Sequence, residues 1–274
     1  MNDSDLGPGP GIYYDVAEEE YLRWGYVHNS ALGPARRSMA HYRWQLDHPK
    51  PATDRMQRGK LDHAAVLQPL SIPAGYVVMP DFAAQVRRAD GSPYDNPRGT
   101  NAYKQLVASF QEINSDKRVV PREWYDTMLA VAHAVNAHDR ARECLHRDCR
   151  REVCLVWDYH PGPLRCKARL DGLDGGLPRI VELKTTEDAS RFPWVMDQLA
   201  YCRQAAFYAD GYRTLAKRAC RFYWIVAETK PPYGVMAAPI GSASFAAGRQ
   251  EYQQALQQIA HCQRMGHWPS YQDP

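Results

Sequence analysis

The chain has 274 residues, 45% of them hydrophobic and 24% charged, which excludes wholesale disorder and suits one large domain or two small ones. No apolar run approaches the ~18 residues of a membrane-spanning helix, and mean hydropathy is −0.58, so no membrane partner is expected. Lys+Arg 34 against Asp+Glu 31 leaves a net charge of +3, which excludes a histone-like basic coat but permits a local basic groove.

Residues 1–11 (MNDSDLGPGPG) read as a mobile tail without the basic start or apolar stretch of a secretory signal. A mostly helical section follows over 12–148. Ser30 reads as the N-cap of a helix carrying Ala31, Leu32, Met39, Tyr42 and Trp44. A second helix spans 55–68 and stops at Pro69. Residues 71–98 read as loop with short extended pieces, and helices follow at 100–113 and 121–145, the latter with Pro121 in its first turn. The period then changes: strands are expected at 152–157, 164–171 and 179–185, with a Gly-rich loop over 172–178. A long helix over 189–213, strands at 221–228 and 233–240 and a last helix at 243–265 complete the chain. This order predicts one mixed α/β (α+β) domain over 12–274, its sheet and flanking helices in 149–274 behind the helical front.

The strand at 179–185 carries the chemistry. Glu182 and Lys184 are two apart and share one face, although unpaired charges on a strand between apolar residues are costly. Asp171, at the end of the preceding strand, comes beside Glu182 if the loop closes a hairpin. Two carboxylates brought together call for a cation between them, and oxygen ligands favour a hard ion, Mg²⁺ or Mn²⁺. Lys184 then faces the same site, placed to orient a water for attack on phosphate. An ordinary surface salt bridge between Lys184 and Glu182 is the alternative. The arginine pairs Arg36-Arg37, Arg87-Arg88 and Arg150-Arg151 read first as solvated faces, with a basic groove as the alternative.

Asp171 followed by Glu182-Leu183-Lys184 resembles the D…(D/E)-x-K motif of the restriction-endonuclease-like PD-(D/E)xK superfamily. Further segments are similar to RecE-type (exonuclease VIII-like) and lambda-exonuclease-like enzymes. These are Asn29-Ser30-Ala31-Leu32, Gly59 to Pro69 around His63, Lys167 to Asp171, Val181 to Thr186, Gln204 to Tyr208, and Glu228 to Tyr233. They occur in the family's order from about residue 20 onward.

The resemblance implies a PD-(D/E)xK core with a mixed β-sheet flanked by helices, and a Mg²⁺-dependent exonuclease (Mn²⁺ substituting). It would digest one strand of linear double-stranded DNA in the 5′-to-3′ direction and leave 3′ single-stranded tails for recombination. It implies that Asp171, Glu182, the Leu183 carbonyl, His63 and Glu152 hold the metal, and that Lys184 acts at the phosphate with support from Gln204 and Tyr208. Hydroxyl and guanidinium groups suit a 5′-phosphate, which makes Ser30, Arg36 and Arg37 candidates. Also implied are a trimeric or tetrameric homo-oligomeric ring, a partner single-strand annealing protein of the RecT/Red-beta type, and a phage or prophage origin in a bacterial cytoplasm.

Seven cysteines without a C-x-x-C pair give no iron–sulfur pattern, and without an export signal they read as reduced thiols. No P-loop indicates ATP. Two other readings stay open: another nuclease of the superfamily, Cas4-like or a structure-specific endonuclease, or a DNA-binding module with a vestigial site.

Overall fold

The computed structural model describes residues 7–271, and its centre is a six-stranded mixed sheet. The strands run β1 (Gly11–Tyr13), β4 (Cys149–Asp158), β5 (Arg165–Asp174), β6 (Arg179–Thr186), β7 (Arg221–Glu228) and β8 (Val235–Pro239), in that spatial order. All neighbours are antiparallel except β6 and β7, whose parallel pairing sets Glu182 beside Trp224 and Lys184 beside Val226. A parallel pair needs a crossover connection, and the helices between β6 and β7 supply it. Apart from the main sheet, β2 (Tyr76–Val78) and β3 (Arg118–Val120) form a parallel pair.

Alternation along β6 divides the core. Ile180 packs with Phe207, Trp224, Leu170, Leu256 and Ile259 under α10 (Tyr201–Ala216) and α11 (Ser242–Met265). Val181 and Leu183 point the other way, to Val66, Val131, Val135 and Ile225 beneath α3 (Asp54–Leu67) and α7 (Arg122–Ala137). Strand residues alternate faces, so each turn of side chains along β6 serves a different helical layer. Gly248 lets α11 cross α10 closely, because a Cβ there would run into the Cys202 carbonyl oxygen. The remaining helices are short or peripheral: α1 (Glu18–Arg23), α2 (Met39–Asp47), α4 (Ile72–Gly75), α5 (Phe82–Gln85), α6 (Asn101–Ile113), α8 (Asp139–Cys144) and α9 (Phe192–Gln198). Among the described residues no helix is long and apolar enough to cross a membrane.

Several boundaries correct the sequence reading. Residues 1–6 of the expected tail lie outside the described residues, but 7–11 are held in place. Gly11 opens β1 against Val156, and the Tyr26 and Tyr13 hydroxyls donate to the Pro8 and Gly9 carbonyls. The helix expected from Ser30 breaks at Gly33-Pro34 into two 3₁₀ turns, Asn29–Leu32 and Pro34–Arg36, followed by α2. Ser38 rather than Ser30 caps α2, accepting the His41 N–H at 3.3 Å. Short helices and β2 occupy part of the 71–98 stretch. The helix over 121–145 divides at His138, whose ring nitrogen accepts the Ala141 N–H and starts α8. β5 runs on to Asp174, whose carboxylate accepts the Gly176 and Leu177 N–H groups and closes the turn into β6. The helix over 189–213 is interrupted at Ala200, in the left-handed region at φ 56°. That break lets α9 and α10 take different directions.

Candidate active site

Three adjacent strands set three carboxylates in a row. The β4–β5 register pairs Arg151 with Gly172 and Val153 with Leu170, so Glu152 stands opposite Asp171. The β5–β6 register pairs Gly172 with Val181, so the next position brings Asp171 opposite Glu182. Here β5 and β6 part, and side chains replace the ladder. Asp171 Oδ2 accepts the Leu183 N–H at 2.7 Å, and Glu182 Oε1 accepts the Asp171 N–H at 3.2 Å. A strand residue points its N–H and C=O to the same edge, so the Leu183 carbonyl also faces the opening between β5 and β6. Glu152 takes a left-handed backbone, φ 54°, a strained conformation for a residue with a side chain.

The other candidates close around this pair. Lys184 Nζ lies 3.2 Å from Glu182 Oε2 and 5.1 and 5.5 Å from the Tyr201 and Trp224 ring centroids. Gln204, from α10, donates to Glu182 Oε2 at 2.9 Å. His63, from α3, places Nδ1 3.5 Å from Asp171 Oδ2. The structure therefore joins Asp171, Glu182, Leu183, Lys184, His63 and Gln204. Glu152 faces the row, but Arg169 holds its carboxylate at 2.5 Å. Tyr208, one turn after Gln204, lines the adjoining cavity.

Electrostatics give each group a distinct state. Burial and the Asp171 charge push the Glu182 carboxyl up to about 8. Burial also works against Asp171, but His63, Lys184 and the Leu183 N–H outweigh it and hold that carboxyl below its ordinary value. Burial disfavours charge on Lys184, yet Glu182 and Asp171 raise it above the usual lysine range, so it is an ammonium and not a base. Asp171 likewise outweighs burial at His63 and raises it. Glu152 is raised by burial and by Asp171. The cluster thus crowds three carboxyls together in excess of what burial lets ionise freely, and two of them, Glu182 and Glu152, are raised.

A hard divalent cation suits that excess. Among the described residues no three His, Cys, Asp or Glu side chains form a complete cage. Mg²⁺ does not require one, since it keeps several waters and binds through one or two carboxylates. Asp171, Glu182 and the Leu183 carbonyl are the donors that fit. Cysteine sulfur is not part of this donor set.

Beside the acidic row opens a cavity of about 520 Å³, lined by Ser30, Lys167, Arg169, Arg203, Gln204 and Tyr208 among others. Lys167 is 3% exposed and donates to the Tyr21 and Trp24 carbonyls at 2.7 and 2.6 Å, with the Tyr21 ring 4.5 Å away. No carboxylate among the described residues pairs with it. Burial pulls its ammonium down to about 8. Arg203, by contrast, is bound to Glu251 at 2.8 Å and to Asn29. The Ser30 hydroxyl lies 2.8 Å from His28 Nδ1, and burial and Lys167 lower that imidazole to about 4, which keeps it neutral.

Two sequence candidates fall elsewhere. Arg36 pairs with Glu251 at 2.5 Å, and Arg37 donates to the Tyr271 hydroxyl at 3.3 Å; neither lines the cavity. Once Gly33-Pro34 breaks the helix, these side chains turn to α11 and the C-terminal segment. The cavity's cations are Lys167, Arg169 and Arg203 instead. The first two precede Asp171 by four and two residues, so strand periodicity alone puts all three on one face.

Residues 35–273 match the family described as "PDDEXK-like domain of unknown function (DUF3799)". The chain belongs to this family. Its PDDEXK-like fold is the mixed sheet flanked by helices described above. No curated protein matches the sequence. Among solved structures, a Eubacterium rectale protein described as a "Putative exonuclease" is 11% identical over 89% of this chain and 86% of its own, with a TM-score of 0.48. The SSO0001 protein is 11% identical over 57% and 69%, with a TM-score of 0.30. LHK-Exo, solved with dAMP, is 13% identical over 61% and 87%, with a TM-score of 0.26.

Proposed function

We propose that this PDDEXK-like protein is a Mg²⁺-dependent exonuclease that degrades one strand of linear duplex DNA from its 5′ end. The observation that carries the reading is the acidic pair Asp171–Glu182 with Lys184 at its side, bordering a cavity whose buried Lys167 ammonium has no carboxylate partner among the described residues. A phosphodiester beside Lys184 and a terminal phosphate near Ser30 and Lys167 would lie on either side of Gln204, which bonds Glu182 and lines the cavity. A terminal phosphate held in that cavity would favour action at ends over internal cutting.

Asp171, Glu182 and the Leu183 carbonyl would hold a divalent cation, which would supply Lewis acidity at the phosphoryl oxygen and lower the pKa of water. The side chains do the rest. Lys184, held charged, donates to the attacking water or to the phosphoryl oxygens as negative charge develops. Gln204 fixes the Glu182 carboxylate through Oε2, and His63 stands over Asp171 with Nδ1 3.5 Å from Oδ2. Mn²⁺ serves in place of Mg²⁺ with the same oxygen donors.

The sequence resemblance supports three further elements of the reading: a ring of three or four copies around the duplex, 3′-tailed products for recombination, and a single-strand annealing protein as partner. Duplexes labelled at either 5′ or 3′ end, beside a covalently closed circle, test the reading. Early release of the 5′ label with the circle intact is expected, whereas equal cutting of circle and linear duplex identifies an endonuclease.

A further inference from the structure

Asp62 directly precedes His63 on α3 and is 1% exposed. Among the described residues neither of its carboxylate oxygens has a partner at hydrogen-bond geometry. The groups facing it are the Arg58 guanidinium one turn earlier, His63, and the Thr185 hydroxyl, while burial works against its charge. Arg58 Nε is itself buried and, among the described residues, without a partner. A leucine at this inward position of α3 would pack among Leu61, Ala65 and Val66 without the cost of burying an unpaired carboxyl. The helix therefore keeps a carboxylate at the expense of stability, as proteins do where a site requires it.

Thr185 gives the reason. It shares the β6 face of Val181 and Leu183, against which Val66 of α3 packs, and Asp62 lies one turn before Val66, so the two side chains face each other between α3 and β6. His63 reaches Asp171 at 3.5 Å, beyond a normal hydrogen bond, and a small shift of α3 makes or breaks that contact. We propose that Asp62 is a positioning residue that docks α3 on β6 through Thr185 and so sets His63 against Asp171 and Lys184. The inference rests on the nuclease reading for its catalytic consequence, and on the backbone geometry for its structural one.

Asp62→Leu, Asp62→Asn and Thr185→Val, each in the full chain, test it by kcat, KM for linear duplex and melting temperature. Asp62→Leu should melt at or above the wild-type temperature yet lose kcat by about tenfold or more, as misplaced site groups do, with KM within about twofold. Thr185→Val should lose kcat in the same direction, and the double variant should lose no more than the larger single loss. Asp62→Asn, which keeps shape and an acceptor, should stay within about threefold of wild type. Wild-type kcat in Asp62→Leu, or in Thr185→Val if the leucine variant does not fold, overturns the proposal. A crystal structure of whichever variant folds supplies the readout that does not depend on activity. His63 Nδ1 should move away from Asp171 Oδ2, and an unchanged separation overturns the proposal even if the wild type proves not to be a nuclease.

Discussion

Asp171 and Glu182 stand opposite each other where β5 and β6 part, and each carboxylate accepts a main-chain N–H from the other's strand. The splayed ladder would leave buried amides unpaired, and the carboxylates satisfy them. Each carboxylate has a second oxygen or lone pair to offer, so the same two residues both end the strand pairing and form the acidic site.

Lys184 separates catalysis from binding. Lys184→Ala removes the ammonium but leaves both carboxylates, so turnover should fall by on the order of a hundredfold or more. DNA affinity should change little, because it is spread over many phosphate contacts. A folded Lys184→Ala protein with near-normal turnover removes this residue from the chemistry and leaves only its ion pair with Glu182.

The raised Glu182 carboxyl makes stability depend jointly on pH and metal. Its folded-state value, about 8, exceeds the ordinary 4.5, so the folded protein binds the proton more tightly than the unfolded chain. Without divalent cations this contribution is present below about pH 4.5 and is lost as pH rises through 8. A cation competes with that proton, so Mg²⁺ should raise the melting temperature more at pH 8 than at pH 6. Melting curves at both pH values, with Mg²⁺ and with chelator, check this; an equal effect at both contradicts it.

Recognition of the 5′ end should depend on the cavity and not on the neighbouring arginine pair. Ser30→Ala should narrow the rate difference between 5′-phosphorylated and 5′-hydroxyl duplex, while Arg37→Ala, which faces Tyr271, should leave it unchanged. Rates on both ends for both variants decide. Loss of end preference in Arg37→Ala alone would move the phosphate site away from Lys167.

The end of α10 offers a stability test away from the site. Lys217 closes this helix in the left-handed region at φ 56°, where glycine has no side-chain penalty. Lys217→Gly should stabilise the protein by about 0.5–1 kcal/mol, read by denaturant titration.

The chemistry-bearing strands were legible in the sequence because charges at 171, 182 and 184 interrupt apolar periods that nothing else explains. The helix holding Gln204 and Tyr208 was legible by its length, but its start was not. The break at Ala200 is a single left-handed residue in a sequence of ordinary helix formers. The terminal-phosphate candidates divided for a similar reason. Ser30 lies at the cavity, whereas Arg36 and Arg37 belong to a separate turn after Gly33-Pro34. Arg203 could not be found from local pattern, since Asn29 and Glu251 reach it from distant parts of the chain. Lys167 was within reach, because it shares the Asp171 face of β5.

The most direct measurement is nucleotide release from 5′-phosphorylated linear duplex as Mg²⁺ is titrated, for wild type and for Asp171→Asn. The account predicts Mg²⁺-dependent release by the wild type, abolished by excess chelator, and loss of both activity and Mg²⁺-induced stabilisation in Asp171→Asn. Full release in excess chelator, or undiminished release by Asp171→Asn, would contradict it.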